Sequence, residues 1–551
     1  MCTVTGSVLE ATREVMRRFG LTTVFGNPGT TEVPFLSDWP EDFHYVLGLH
    51  ESVVVAMADA YAQLTRRPAL VNLHSAGGVG HGLGAVFSAS RNNSSVIVLA
   101  GQQARSMLGE EPFLGAPDAT TFPKPHVRFS HEPARAEEVP AALARAYRHA
   151  AQPPRGPVFL SVPVDDWDAP IGDVELPEAT AIRGTAPHPD AVDELVTALW
   201  TYTKLGSNAP LTNDPPRLAF VAGGEVDADG AVEWLVTLAE GCRAAVFAAP
   251  MSGRCAFPED HPLFAGFLPP ERRALGAALS PYDQVIVLGA PAFTYHVLRD
   301  GPIPPLPPTY IVSEDPDVLA RAPHGRGILA SPGLALDAVI RALNESGATV
   351  PIGEPGSAGL VRPPAPELSG GLTAELVYAT LSQLLPEDAV VVEETPSLRG
   401  PLHDHLPIRS RDGGFLTTAS GSLGFGIAAT VGAALARPTS TVVGVLGDGS
   451  AMYGIQALWT AAREGTNAVF IVLDNAEYAA VRLLGEAAGG KKLPGTKLGG
   501  IDFVPLARSM GCAAYRVDDA ADLSEAISGA LNSYGPTLLH IPIDGASPEI
   551  Y

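Results

Sequence analysis

TVVGVLGDGSAMYGIQALWTAAREGTNAVFIVLDNAEY, residues 441–478, decides how the chain reads. Residues 441–446 are an unbroken apolar, β-branched run, expected as a buried strand that ends in the turn Gly447-Asp448-Gly449. Ser450 can cap a helix running to about Glu464, with Met452, Ile455, Leu458 and Trp459 on its apolar side. A second apolar run, 468–473, ends at Asp474-Asn475. Strand, helix and strand in this order form a βαβ unit, and its right-handed crossover sets both strands parallel with their carboxyl ends on one edge. Asp448 and Asn475, 27 positions apart, are therefore expected side by side where open α/β sheets bind ligands. The Asp448 carboxylate, the Asn475 amide oxygen and the Glu477 main-chain carbonyl make a hard oxygen set suited to Mg²⁺, with phosphate and water completing the octahedron. The N–H groups of Gly449 and Ser450, at a helix start, suit a diphosphate.

The same rhythm extends outward through the chain. Strand-like runs occur at 22–26, 69–74, 95–101, 157–163, 218–223, 284–290 and 389–394, each followed by a helix-length segment. Continuous apolar strands of this kind belong to parallel sheets covered on both faces, so the fold class is α/β, built as three doubly wound parallel-sheet domains. Polar, Pro-rich stretches at Asp165–Pro189 and Gly347–Ser369 read as linkers, and 206–217 as an insertion. The expected domains are 1–180, 181–348 and 365–551.

Composition narrows the function. With 36 basic against 60 acidic residues the net charge is −24, which repels phosphate backbones and argues against nucleic-acid binding. Cys2, Cys242, Cys255 and Cys512 are too scattered for a zinc motif or a disulfide framework. No apolar run is long enough to cross a membrane, and the amphipathic N-terminus lacks a signal-peptide core, so a cytoplasmic enzyme is expected.

In the first third, Glu51 opens a helix carrying Val54, Met57, Ala58 and Tyr61 on one face. A carboxylate in a helix first turn is itself a favourable structural placement. His50-Glu51 does not extend to the zinc-protease pattern, because position 54 is Val.

GDGS (447–450) with DNAEY (474–478) resembles the metal and diphosphate signature of thiamin diphosphate enzymes, departing only at Asp474, where that signature carries Asn. GNPGTTEVPFL (26–36), NLHSAGG (72–78), AGQQARSMLG (100–109), GPVFLSVPVDDWD (156–168), GAPAFTYH (289–296) and GSLGFG (421–426) extend the similarity over nearly the whole chain. They are similar to the benzoylformate decarboxylase branch of the 2-oxo-acid decarboxylases. The resemblance implies thiamin diphosphate and Mg²⁺ as cofactors, the ion held by Asp448, Asn475 and the Glu477 carbonyl. It assigns Glu51 to N1′ of the aminopyrimidine, where a carboxyl group makes the cofactor's own 4′-amino group basic. It places Gly421, Leu423, Gly449, Ser450, Ser397, Asn27 and Pro28 against the cofactor, Leu423 enforcing its bent shape. His74 is implied for proton transfer on the first adduct and His296 for protonation after CO₂ leaves and for product release. Thr30 stands where a serine hydroxyl binds the substrate carboxylate.

Departures cluster around the substrate. Pro396 replaces a hydroxyl residue, Leu483 and Leu484 a Trp-Phe pair, Thr417 an aromatic, and Phe113-Leu114 a pair of leucines. With Ala480 these describe a pocket wall that is apolar but differently shaped. The implied reaction is non-oxidative decarboxylation of a 2-oxo acid to an aldehyde, a lyase reaction, in a homodimer at least and a homotetramer by the family's habit. A carboligase sharing every cofactor residue is the alternative within the fold. A flavin or nicotinamide oxidoreductase, using GGEVDADGA (223–231) as a nucleotide loop or Gly424-Phe-Gly426-Ile-Ala-Ala429 as a dinucleotide fingerprint, is the alternative outside it.

Overall fold

Apolar runs separated by helix-length segments become three parallel six-stranded sheets in the computed structural model, which describes residues 3–175, 178, 184–203, 217–291, 293–296, 301–347, 357–368, 371–490 and 492–544. The first sheet runs His44–Leu47, Thr23–Asn27, Ala69–Leu73, Val96–Gln102, Val158–Pro163, Phe129–His131 in spatial order. The second runs Phe264–Phe267, Ala245–Ala248, Leu218–Ala222, Gln284–Leu288, Thr309–Ser313, Arg326–Leu329. The third runs Phe415–Thr417, Val390–Glu394, Val442–Gly447, Ala468–Asp474, Thr537–Pro542, Ala513–Arg516. Central strands such as Ala69–Leu73 and Val96–Gln102 are buried along their whole length, as parallel strands under helices on both faces must be.

In each sheet the winding reverses between the first strand and its later neighbour, leaving a crevice beyond their carboxyl ends. The crevice of the first sheet lies between Asn27 and Leu73, and that of the third between Glu394 and Gly447. The residues that follow these four ends are 28–32, 74, 395–397 and 448, so two groups of candidate residues occupy switch points.

The first and third sheets share one core. The helix Glu51–Thr65 is buried almost all round, from Val53 to Ala60, because Gly426–Ala436 crosses it within the same apolar cluster. Gly432 permits that crossing: a Cβ there would lie 2.0 Å from the Met57 carbonyl oxygen.

Three expectations are corrected. The helix expected from Ser450 to Glu464 is two, Asp448–Met452 and Ala457–Glu464. Between them Gly454 packs against the 421–426 loop and the helix after it, where a Cβ would sit 3.4 Å from the Gly424 carbonyl oxygen and 3.1 Å from Ile427. Ser450 lies inside the first piece, whose cap position is the extended Gly447. The stretch Asp165–Pro189 is not all linker, since Pro170–Glu175 pairs antiparallel with an unforeseen strand, Thr3–Ser7, ahead of the helix Val8–Phe19. Of the 206–217 insertion, all but Arg217 falls outside the described residues, as does Cys2. Cys242, Cys255 and Cys512 are buried thiols. No described helix is long and apolar enough to cross a membrane.

The carboxyl edge of the middle sheet is acidic. Glu225 accepts from the Ser313 hydroxyl at 2.8 Å and the Glu314 N–H at 3.0 Å, while Asp229 accepts from Ser331. Burial pushes both Glu225 and Glu314 up to about 7. Such an edge repels a diphosphate, which counts against a nucleotide in the 223–231 loop. Glu314 Oε1 is buried without a hydrogen-bond partner. Its folded-state value lies above the unfolded one, so its burden is absent below about pH 4.5, grows toward pH 7 and is constant above. Glu314→Gln is therefore expected to raise stability at pH 8 by roughly 1–2 kcal/mol, less than the full shift because solvent screens part of the burden, and to change it little at pH 4.5. Denaturant titration at the two pH values checks this. A gain of equal size at both would refute the titration argument.

Candidate active site

The first switch point is organised by a buried carboxylate absent from the sequence-based expectations, Glu32. It is 1 % exposed and accepts from Gly29 N–H at 2.8 Å, Gly101 N–H at 2.9 Å and the Thr31 hydroxyl at 2.7 Å. Its Oε2 also lies 2.8 Å from His74 Nδ1, and Thr31 Oγ1 is 3.0 Å from the same nitrogen. The loop carrying Asn27, Pro28 and exposed Thr30 is thus tied to the ring of His74. Gly29 makes room for this: a Cβ there would stand 2.2 Å from His74 Nδ1. With Nδ1 engaged, Nε2 is the ring nitrogen left to exchange a proton.

Ser75, at φ +43°, links this centre to the expected pocket wall. Its hydroxyl donates to the Leu114 carbonyl at 2.7 Å, and Gln103 Nε2 donates to the Phe113 carbonyl at 2.7 Å. Phe113 and Leu114 are 87 % and 38 % exposed in the isolated chain, so their apolar surface awaits cover.

Glu51 opens its helix behind His50, whose Nδ1 accepts the Ser52 N–H at 3.2 Å. Its side chain is 13 % exposed, with Oε2 3.2 Å from His81 Nδ1. Glycines keep the carboxylate open, since a Cβ at Gly78 would fall 3.2 Å from Oε1.

At the second switch point Asp448, 4 % exposed, begins a helix beside Asp474, the two following strands paired through Gly447 and Leu473. Burial raises Asp448 to about 7, and the neighbouring Asp474 adds to it. Asp474 is held low by fully buried His540, whose Nε2 lies 2.8 Å away. The departure at position 474 is therefore matched by a basic partner from the adjoining strand. Asn475 Oδ1 accepts the Glu477 N–H at 3.1 Å around Ala476 at φ +55°. The Glu477 side chain is bound by Arg482 and Lys497, each at 2.9 Å, and they hold it below the usual carboxylate range. That leaves its main-chain carbonyl as the group able to serve an ion.

Glu394 is a second residue missed from sequence. Its carboxylate accepts three backbone N–H groups, Gly424 at 2.8 Å, Phe425 at 3.1 Å and Gly426 at 3.0 Å. It thereby fixes the loop that presents Gly421, at φ +74°, and partly buried Leu423 beside the strand end leading to Pro396 and Ser397. Both members of Glu393-Glu394 are buried, which sets them apart from the exposed acids; burial was the missing signal.

Ala480 is partly buried and Leu484 is 39 % exposed, both in the helix Ala479–Ala487 that follows Asn475. His296 is exposed in the middle domain, its N–H on the Pro270 carbonyl at 2.9 Å. Thr417 receives Arg399, which also pairs with Glu393, and so buttresses the strand end instead of lining a pocket.

Family models match in chain order: the N-terminal TPP binding domain of thiamine pyrophosphate enzymes over residues 7–122, the central domain over 213–339, and the C-terminal TPP binding domain over 400–541. Benzoylformate decarboxylase of Pseudomonas aeruginosa is 41% identical over 547 residues, covering 98% of this chain and 100% of that protein. The crystal structure of benzoylformate decarboxylase from Polynucleobacter necessarius superposes with TM-score 0.89 at 34% identity over 99% of each chain. A thiamine diphosphate-dependent 4-hydroxybenzoylformate decarboxylase of Rhodococcus jostii gives 0.88 at 38% identity over 98% of this chain and 99% of that one. With paired switch-point sites on its first and third sheets and these relatives along its full length, the chain belongs to the thiamine pyrophosphate-dependent decarboxylases.

Proposed function

We propose that the protein decarboxylates an aryl 2-oxo acid, non-oxidatively, to the aldehyde, with thiamine pyrophosphate (thiamin diphosphate) and Mg²⁺. The observation that carries this reading is the Glu32–His74 pair set between Thr30 and the Phe113-Leu114 loop. It joins a proton-transferring ring to a hydroxyl and an apolar wall, as an aryl 2-oxo acid needs.

The second switch point fits a magnesium-bound diphosphate. Two adjoining carboxylates, one forced toward neutrality by burial, are a set that a dication stabilises in the ionised form. Asp448, Asn475 and the Glu477 carbonyl would hold the ion, and the N–H groups of Gly449 and Ser450 the diphosphate. Bound there, the cofactor supplies an electron sink for the carbon that loses CO₂. Glu51 binds N1′ of the pyrimidine and shares its proton. Leu423, on the loop that Glu394 fixes, would hold the cofactor in its bent shape. Thr30 receives the substrate carboxylate. His74 moves a proton at the former carbonyl oxygen, and His296 delivers the proton that replaces CO₂. Phe113, Leu114, Pro396, Ala480 and Leu484 exclude water and hold the aryl group. We further propose a homodimer at least, with tetramers as pairs of dimers, working in the cytoplasm. The exposed Phe113-Leu114 surface favours subunit cover.

The test is incubation with the cofactor, Mg²⁺ and a panel of aryl and alkyl 2-oxo acids, with products identified by mass. Aldehyde in one-to-one ratio with CO₂, fastest from aryl substrates, is expected. A hydroxyketone as the main product would overturn the reading in favour of carboligation. Glu32→Gln should lower kcat by about ten- to a hundredfold, through loss of His74 orientation, and cost about 2 kcal/mol of stability because a buried acceptor of several bonds is lost. Unchanged kcat with lowered stability would make Glu32 purely structural.

A further inference from the structure

His50, Glu51 and His81 together make a ligand set for a transition-metal ion. Glu51 Oε2 is 3.2 Å from His81 Nδ1, and the rings of His50 and His81 stack at 5.6 Å with a 27° tilt. One ring nitrogen of each histidine and one carboxylate oxygen all lie within 4.8 Å of one another. The three come from two elements: His50 precedes the helix Glu51–Thr65 and His81 projects from Ser75–Arg91. Ser52 Oγ, 2.7 Å from His50 Nδ1, can accept from an Nδ1–H, the tautomer that leaves Nε2 with its lone pair for an ion at the cost of the capping bond from the Ser52 N–H. The side chain of His81 is 65 % exposed, so an ion reaches the group from solvent. Ligand atoms of a tetrahedral zinc site stand about 3.3 Å apart. A side-chain movement of up to about 1.5 Å, the difference between 4.8 Å and the tetrahedral spacing, closes the set, and water supplies a fourth ligand.

Two imidazoles and one carboxylate favour borderline ions such as Zn²⁺ over Mg²⁺, which prefers oxygen. The net charge of −24 concentrates cations around the chain. We propose that in the cofactor-free protein these three residues bind one Zn²⁺, and that the ion and thiamine pyrophosphate exclude one another because both need the Glu51 carboxylate. The exclusion rests on the reading of Glu51 given above; the ligand set does not.

Calorimetric titration of the chelator-treated, cofactor-free protein with zinc alone tests both parts. One ion per chain is expected, with affinity at least tenfold weaker in His50→Gln and in His81→Asn, and lost in the double variant. Preloading with thiamine pyrophosphate and Mg²⁺ should weaken zinc uptake at least tenfold. Thermal midpoints of the variants confirm folding, and the competition on the unaltered protein needs no variant. Equal uptake by the unaltered protein and the double variant would overturn the site, leaving the role of Glu51 untouched. Uptake that depends on both histidines yet ignores the cofactor would overturn the exclusion, and turnover of Glu51→Gln, measured separately, tells whether the placement of Glu51 on the pyrimidine falls with it.

Discussion

Replacing Glu51 by Gln is expected to lower kcat by two to four orders of magnitude, about 3–5 kcal/mol in the barrier. Gln has nearly the same volume and keeps the helix start that His50 caps, so the fold should survive. The loss of a negative charge in the first helical turn costs at most about 1 kcal/mol. An amide, however, cannot pass a proton to and from N1′ with comparable ease. Cofactor affinity, which we propose is set mainly at Asp448 and Asn475, should fall far less than turnover. The split between kcat and cofactor Kd is the diagnostic: a large loss of affinity with kcat retained at saturating cofactor would make Glu51 a binding group only.

The second large effect is at Asp448. Asp448→Asn should weaken joint binding of Mg²⁺ and thiamine pyrophosphate by about two to three orders of magnitude, because the carboxylate is the one charged ligand expected for the ion. Stability of the cofactor-free protein should stay level or rise by about 1 kcal/mol. Asp448 is buried against Asp474 and pushed up to about 7, and the amide removes that repulsion. Opposite signs for binding and stability distinguish a ligand from a structural residue. Tryptophan fluorescence with cofactor titration, alongside denaturation of the cofactor-free protein, reads both. A fall in both together would place Asp448 in the scaffold alone.

How much the sequence revealed depended on what each segment buries. The long apolar runs, such as SVIVLAG and NAVFIVLD, appear as central strands because burial on both faces forces continuous hydrophobicity. Phe129–His131, Phe415–Thr417 and Arg326–Leu329 went unseen: they are edge strands of three or four residues, too short for any period to show. Thr537–Pro542 is interior, yet His540 interrupts its pattern, and only the pairing with Asp474 explains that histidine. The single helix expected after Ser450 failed because Gly454 is required by a contact with a loop distant in sequence.

The site shows the same division. Asp448, Asn475 and Glu51 can be singled out from sequence because each opens or closes an element at a sheet edge. Glu32 and Glu394 were not, because their importance lies in backbone N–H groups gathered from several segments, which no local spacing encodes. The His50–His81 stack likewise joins separate elements.

The central claim is that one carboxylate of the first sheet and an ion-bound diphosphate on the third serve the same cofactor. The crystal structure of the protein with thiamine pyrophosphate and Mg²⁺ tests it most directly. The account predicts a Glu51 carboxylate oxygen at about 2.6–3.0 Å from pyrimidine N1′, with magnesium bound by Asp448, Asn475 and the Glu477 carbonyl. A Glu51 side chain turned away from the ring, or a diphosphate held elsewhere than at Asp448, would contradict it.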